Sequence, residues 1–159
     1  MKILERIPVV SLAATILATG ALAMPTLAGD DHVLIEHDAF QFQPGPGSVE
    51  EIAEFSVLYG NPGTEGVFAM RLKLPDGFHI APHHHGQPEI VTVISATFRI
   101  GMGDDPDPEN TAALEPGGFF TCPPGMVHFA YADGETVIQL NSTGPWTITY
   151  VRDEDDPRS

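Results

Sequence analysis

GFHIAPHHHGQPEIVTVISA, residues 77–96, sets three adjacent histidines and a glutamate against the start of an apolar run rich in Val, Ile and Thr. Such β-branched residues suit a pleated, half-buried surface, so the run from Glu89 onward reads as a strand. On an extended chain, side chains two residues apart share a face; His83 and His85 therefore point together while His84 points away. Two neutral imidazoles presented in this way form a ready chelate for a first-row transition metal. Glu89 has the same parity. Although Gly86-Gln87-Pro88 interrupts the strand, a carboxylate returning toward the pair supplies a third, anionic donor. The fourth candidate is His128, in PPGMVHFA, which follows a Pro-Pro-Gly turn and opens another strand-like run.

Working outward, Gly and Pro recur at short intervals beyond position 28 and divide the chain into short pieces. Those at 54–60, 66–74, 89–101, 117–123, 126–132, 135–141 and 145–151 are apolar and rich in Val, Ile, Phe and Thr, which predicts an all-β sandwich or barrel. No piece has the period of a long amphipathic helix, although SVEEIAEF, 48–55, is expected to make a turn or two. In GVFAMRLKL, 66–74, alternation places Phe68, Met70, Leu72 and Leu74 on a core face and Arg71 and Lys73 on a solvated outer face. A chain of 159 residues has room for one domain around one core. That domain is expected at 33–152, followed by an acidic tail, 153–159, that frays.

The flanks of the histidine cluster sharpen the reading. Residues 77–96 fit G-x5-H-x-H-x3-E-x6-G from Gly77 through His83, His85 and Glu89, with Ala96 at the final glycine position. Farther on, GGFFTCPPGMVHFAYA, 117–132, fits G-x5-P-x-G-x2-H-x3-N from Gly117 through Pro123, Gly125 and His128, with Ala132 at the asparagine position. In these two motifs the chain resembles the cupin superfamily over most of its length beyond the N-terminal segment. The resemblance implies a small jelly-roll β-barrel holding one divalent transition metal through His83, His85, Glu89 and His128. Nitrogen and oxygen donors of this kind suit Fe, Mn, Ni, Cu, Co or Zn. Both departures fall at motif ends, so they touch the strand path, and at Ala132 a side-chain hydrogen bond, but not the donors.

Four protein donors leave coordination positions open on a five- or six-coordinate ion, which is a catalytic arrangement and not the closed, cysteine-rich one of structural zinc. For such a site the resemblance implies dioxygenation of flavonols or acireductones, oxidation or decarboxylation of oxalate, isomerisation, or β-elimination of small sulfonium acids. The expected function is an oxygenase or lyase acting on a small organic molecule, with Glu89 as both ligand and catalytic base. The alternative is a non-catalytic module that binds a metal or small ligand; an enzyme needs a cavity of several hundred Å³ beside the ion, which a sequestering protein can fill with side chains. A homodimer is expected by resemblance alone.

Other residues are weighed against the same site. Phe68, Met70, Phe120, Trp146 and Tyr150 are candidate pocket walls by alternation. His79 shares the parity of His83 and His85 but lies before Pro82; it reads as a barrel-lining or surface residue, with a ligand contact as the alternative. Cys122 sits beside Pro123, as a buried core residue or as a donor for a soft metal. His32 and His37 are expected to be exposed. Asp104, Asp105, Asp107 and Glu109 lack EF-hand spacing and read as a solvated hairpin tip. Arg99 lies about 33 Å from Glu89 along an extended strand, too far to reach the metal.

At the N-terminus, Lys2 and Arg6 precede an apolar stretch, 7–23, and then small residues suited to a signal peptidase. This reads as a cleavable signal peptide, 1–28, with cleavage after Ala28 or after Ala23, and predicts a periplasmic or secreted protein without stable membrane association. A retained anchor is the competing reading, at the short limit for spanning a bilayer. The whole chain carries a formal charge of −15, and loss of 1–28 leaves 5 basic against 21 acidic residues, or −16. Nucleic acid and anionic membranes are therefore disfavoured partners, since they require clustered Lys and Arg. Cys122 is the only cysteine, which excludes an intrachain disulfide.

Overall fold

The computed structural model describes residues 32–50 and 52–159; the expected signal peptide lies outside them. Two long antiparallel strands, β5 (Glu89–Met102) and β8 (His128–Gly144), form the spine. Their alternation of buried and exposed positions carries Val91, Val93, Phe98 and Ile100 from one strand and Ala130, Ala132, Ile138 and Leu140 from the other into a common core. Full burial of a Val such as Val91 contributes about 1.5–3 kcal/mol, so this alternation alone strongly selects the register.

Shorter strands complete a curled, nine-stranded antiparallel sheet. These are β1 (Gln43–Pro44), β2 (Glu54–Tyr59), β3 (Gly66–Leu74), β4 (His79–His84), β6 (Ala112–Leu114), β7 (Phe119–Cys122) and β9 (Thr149–Tyr150). One path runs β1-β2-β3-β8-β4-β9, while β5 pairs with β6, β7 and β8. The C-terminal half of β8 pairs with β3 and its N-terminal end with β4, so a single strand joins the two sides of a jelly-roll barrel. There is no α-helix among the described residues, and turns and bends at 47–49 and 52–53 lead into β2. No helix there is long and apolar enough to cross a membrane.

Several expectations change in detail. The pieces at 126–132 and 135–141 are one strand, β8, carried through Asp133-Gly134. This pair does not close a hairpin because β5 runs alongside both halves and kinks at the same place: Thr97 faces Asp133, Ser95 faces Val137, and Ala96 adopts φ 55°. The wholly buried Thr136 hydroxyl satisfies itself there on the carbonyls of Gly134 (3.0 Å) and Thr97 (3.3 Å). The outer face of β3 is also less solvated than expected. Phe40 lies under the Arg71 guanidinium at 3.9 Å and Phe42 under Lys73, which pairs with Glu54.

The C-terminal segment does not fray. Residues Asp153–Asp155 form a 3₁₀ turn, and Arg158 folds back so that its guanidinium donates to the Ile148 carbonyl at 3.1 Å and to both Asp156 carboxylate oxygens at 2.7 Å. The loop with Asp104, Asp105, Asp107 and Glu109 is an exposed connection between β5 and β6, as expected. Asp107 caps a 3₁₀ turn there by accepting from the Glu109 amide at 2.9 Å.

Candidate metal centre

Four side chains converge from three strand ends. His83 is near the end of β4 and faces His128, the first residue of β8, as its cross-strand partner. His85 follows β4 directly, and Glu89 opens β5 opposite Cys122 of β7. The turn that presents His128 is tied to the other motif, since the Gly125 amide donates to the His85 carbonyl at 2.9 Å. Gly125 sits at φ 78°, a conformation that glycine reaches without steric cost. The two separated motifs thus meet through the backbone as well as through side chains.

The imidazoles are pinned by their outer nitrogens. Nδ1–H donates to the Ala81 carbonyl in His83 (2.7 Å), to the Thr147 carbonyl in His85 (2.8 Å) and to the Met126 carbonyl in His128 (3.0 Å). Because a carbonyl only accepts, Nδ1 holds the proton in each ring and Nε2 is left facing inward. Ligand atoms of the three histidines lie within 4.8 Å of one another, close to the roughly 4 Å that two metal–nitrogen bonds span. Glu89 places Oε1 3.8 Å from His85 Nε2 and Oε2 3.1 Å from His128 Nε2.

All four residues are buried, at 2–6% exposure, yet His85 Nε2 has no hydrogen-bond partner and Glu89 Oε2 has only the His128 ring beside it. Leaving such groups unpaired costs about 1–3 kcal/mol each, more for a charge, which marks a place built for something to occupy. Burial pushes His83 well below the usual histidine range, with His128 and His85 adding to the effect. Burial also lowers His85, against the pull of Glu89. At His128 burial is outweighed by Cys122 and Glu89 beside the ring, and its pKa rises to about 10. The cluster can therefore hold a cation: two neutral imidazoles, a carboxylate, and a third imidazole whose proton a metal would displace.

The remaining candidates fall on either side of this site. His84 is half-buried and is not among the converging donors. His79 is not a site residue: the register slips between Ile80 and His83, so both of those are buried and His79 faces outward, stacked on Tyr131 at 4.5 Å. Arg99 pairs with Asp133 at 2.6 Å, and His32 and His37 are exposed. Cys122 is buried at 2% exposure and lies beside Glu89 and His128.

Next to the cluster is a cavity of about 430 Å³. Met70, Phe120 and Trp146 line it as expected; Phe68 instead packs edge-on behind Trp146, and Tyr150 binds the Ser48 carbonyl through its hydroxyl at 2.9 Å. Much of the rest is aliphatic or aromatic, including Leu72, Ile80, Phe98, Ile138 and Leu140. Val49, Ile148 and Arg158 also contribute, and sequence reading missed them. Val49 and Arg158 stand in an irregular loop and at the C-terminus, where periodicity carries no signal; Ile148 has the parity of Trp146 and Tyr150 and was within reach of the same alternation.

A barrel closed around three histidines and one glutamate at these spacings defines a protein class, and the chain belongs to it: the cupin family, whose model, described as Cupin, matches residues 43–148. Among solved structures it is similar to the polyketide cyclase RemF from Streptomyces resistomycificus, with a TM-score of 0.63 and 16% identity over 80% of this chain and 90% of that one. It is also similar to KdgF from Halomonas sp., with a TM-score of 0.53 and 20% identity over 69% of this chain and 92% of that one. Against a salicylate 1,2-dioxygenase variant from Pseudoaminobacter salicylatoxidans the TM-score is 0.53 and the identity 17%, over 67% of this chain and 32% of that one. These likenesses establish the fold. No curated protein matches the chain.

Proposed function

We propose that the protein is an exported cupin metalloenzyme that binds one divalent transition ion through Nε2 of His83, His85 and His128 and the carboxylate of Glu89, and acts as an oxygenase or lyase on a small, largely apolar organic molecule. The observation that carries this reading is the set of three Nδ1–H donations to backbone carbonyls, which aims three Nε2 atoms at one buried point. Once bound, the ion would supply Lewis acidity and an open position for a substrate atom.

The protein's own groups do the rest. The apolar walls exclude water and hold the substrate against the cluster, and a cavity of about 430 Å³ favours an enzyme over a sequestering module. Arg158, a cation on the lining, is already engaged by Asp156 and Ile148, so the walls offer little to an oxalate-like dianion and favour an uncharged substrate. Glu89 Oε2 is placed to take a substrate proton and hold it next to His128 Nε2. Export rests on Lys2, Arg6, the apolar stretch 7–23 and the small residues after it.

Elemental mass spectrometry on untagged mature protein tests the site. We expect near one equivalent of metal, most of it lost in His83→Ala or His128→Ala and retained in His84→Ala. Equal loss in all three variants would overturn the donor set, and no tightly held metal after reconstitution would overturn the enzyme. With metal present, dioxygen uptake and elimination assays on neutral aromatic and aliphatic compounds identify the reaction.

A further inference from the structure

We propose that Cys122 is a metal donor in this protein, forming with Glu89 and His128 a second donor set that thiophilic ions adopt. The inference rests on the four-residue site above but is separable from it. In the β5–β7 ladder Glu89 and Cys122 are direct cross-strand partners, so their side chains leave the sheet on the same face. The Cys122 sulfur, a Glu89 carboxylate oxygen and a His128 ring nitrogen all lie within 4.8 Å of one another.

Two further observations point to a ligand there. Glu89 is 6% exposed and its Oε2 lies 3.1 Å from His128 Nε2, which aims a buried carboxylate into the space shared with Cys122. Cys122 has no sulfur partner with which to form a disulfide, since it is the only cysteine of the chain. A buried small apolar side chain would fill the same space at less chemical risk than a thiol in a compartment that oxidises thiols.

The second set keeps Glu89 and His128 of the four-residue site and takes Cys122 in place of His83 and His85. The first therefore offers three nitrogens and an oxygen, the second one each of oxygen, sulfur and nitrogen. Ions that favour nitrogen and oxygen donors stay with the first; soft ions gain from the thiolate of the second. Cys122 does not line the cavity although Glu89 and His128 do, so an ion drawn to the sulfur shifts toward the barrel wall. The site therefore sorts ions by softness through position as well as affinity. Binding displaces the thiol proton to solvent and forms one metal–sulfur bond, with no change in oxidation state.

Cadmium(II) and manganese(II) titrations of wild type and Cys122→Ser test the proposal. In wild type, cadmium is expected to produce a sulfur-to-metal charge-transfer absorption and a cadmium NMR shift typical of thiolate ligation. With a single cysteine, either signal reports Cys122 alone. In Cys122→Ser both vanish and cadmium affinity falls by about tenfold or more, while manganese affinity changes by less than about threefold. The manganese control also shows that the variant is folded. Cadmium bound without a sulfur signal in wild type overturns the proposal and leaves the imidazole site standing; absence of manganese binding with a cadmium–sulfur signal intact overturns the imidazole site instead.

Discussion

Ala96 holds φ at 55°, among the described residues the one non-glycine with a positive φ. It stands where the first motif ends in glycine, and the structure supplies the reason for that preference: β5 must turn sharply here to follow the kink in β8. A left-handed alanine costs about 1–2 kcal/mol, part of which glycine returns through its greater backbone entropy in the unfolded chain. Ala96→Gly is therefore expected to raise the unfolding free energy by about 0.5–1 kcal/mol, read from urea midpoints at unchanged m-value. His128 offers a different test. Its pKa of about 10 means that the metal-free site carries its proton at neutral pH. Metal uptake near pH 7 should therefore release about one proton, measurable by calorimetry in buffers of differing ionisation heat, and apparent affinity should climb as pH rises toward 10. His83, pushed the other way, contributes no proton in that range. The donors themselves were readable from spacing because a chelate needs side chains of fixed parity and type. His79 marks the limit of that logic: parity survives only while the register does, and beyond the slip beside Pro82 it takes the surface position that was open to it.

Strand β8 shows what periodicity can and cannot reveal about an element. Its alternation is plain on both sides of Asp133-Gly134, but only the partner strand determines whether the pair ends a strand or bends it. The short β1 and β6 were harder to see, since two or three ladder pairs leave almost no pattern in sequence. The spine also carries a tight constraint. A Cβ on Gly101 would lie 2.1 Å from the ring of Phe129, which is wholly buried and has nowhere to move. Gly101→Ala is expected to destabilise the fold by about 3 kcal/mol, at the upper end for an overpacked core, and denaturant unfolding checks it. Because Gly101 and Met102 flank β8 at Phe129 and His128, the same substitution should also lower metal occupancy.

Across the molecule, the chain carries a formal charge of −15, and few acidic groups are paired among the described residues. Mutual repulsion opposes the compact state and is screened over about 10 Å at 0.1 M salt. Raising sodium chloride from about 0.01 M to 1 M should therefore raise the melting temperature; a flat response would mean that the ion pairs already offset the repulsion. The charge itself was countable from composition, whereas the docking of 152–159 was not, because it depends on one arginine finding a carbonyl and an aspartate in space. The chain contains a single tryptophan, and Trp146 is stacked on His85 at 4.1 Å while forming part of the cavity wall. Its indole emission is thus an optical gauge already installed at the junction of the two binding events: a paramagnetic ion arriving on His85 should quench it, an organic guest should shift its colour, and each occupancy can be followed in the unlabelled protein.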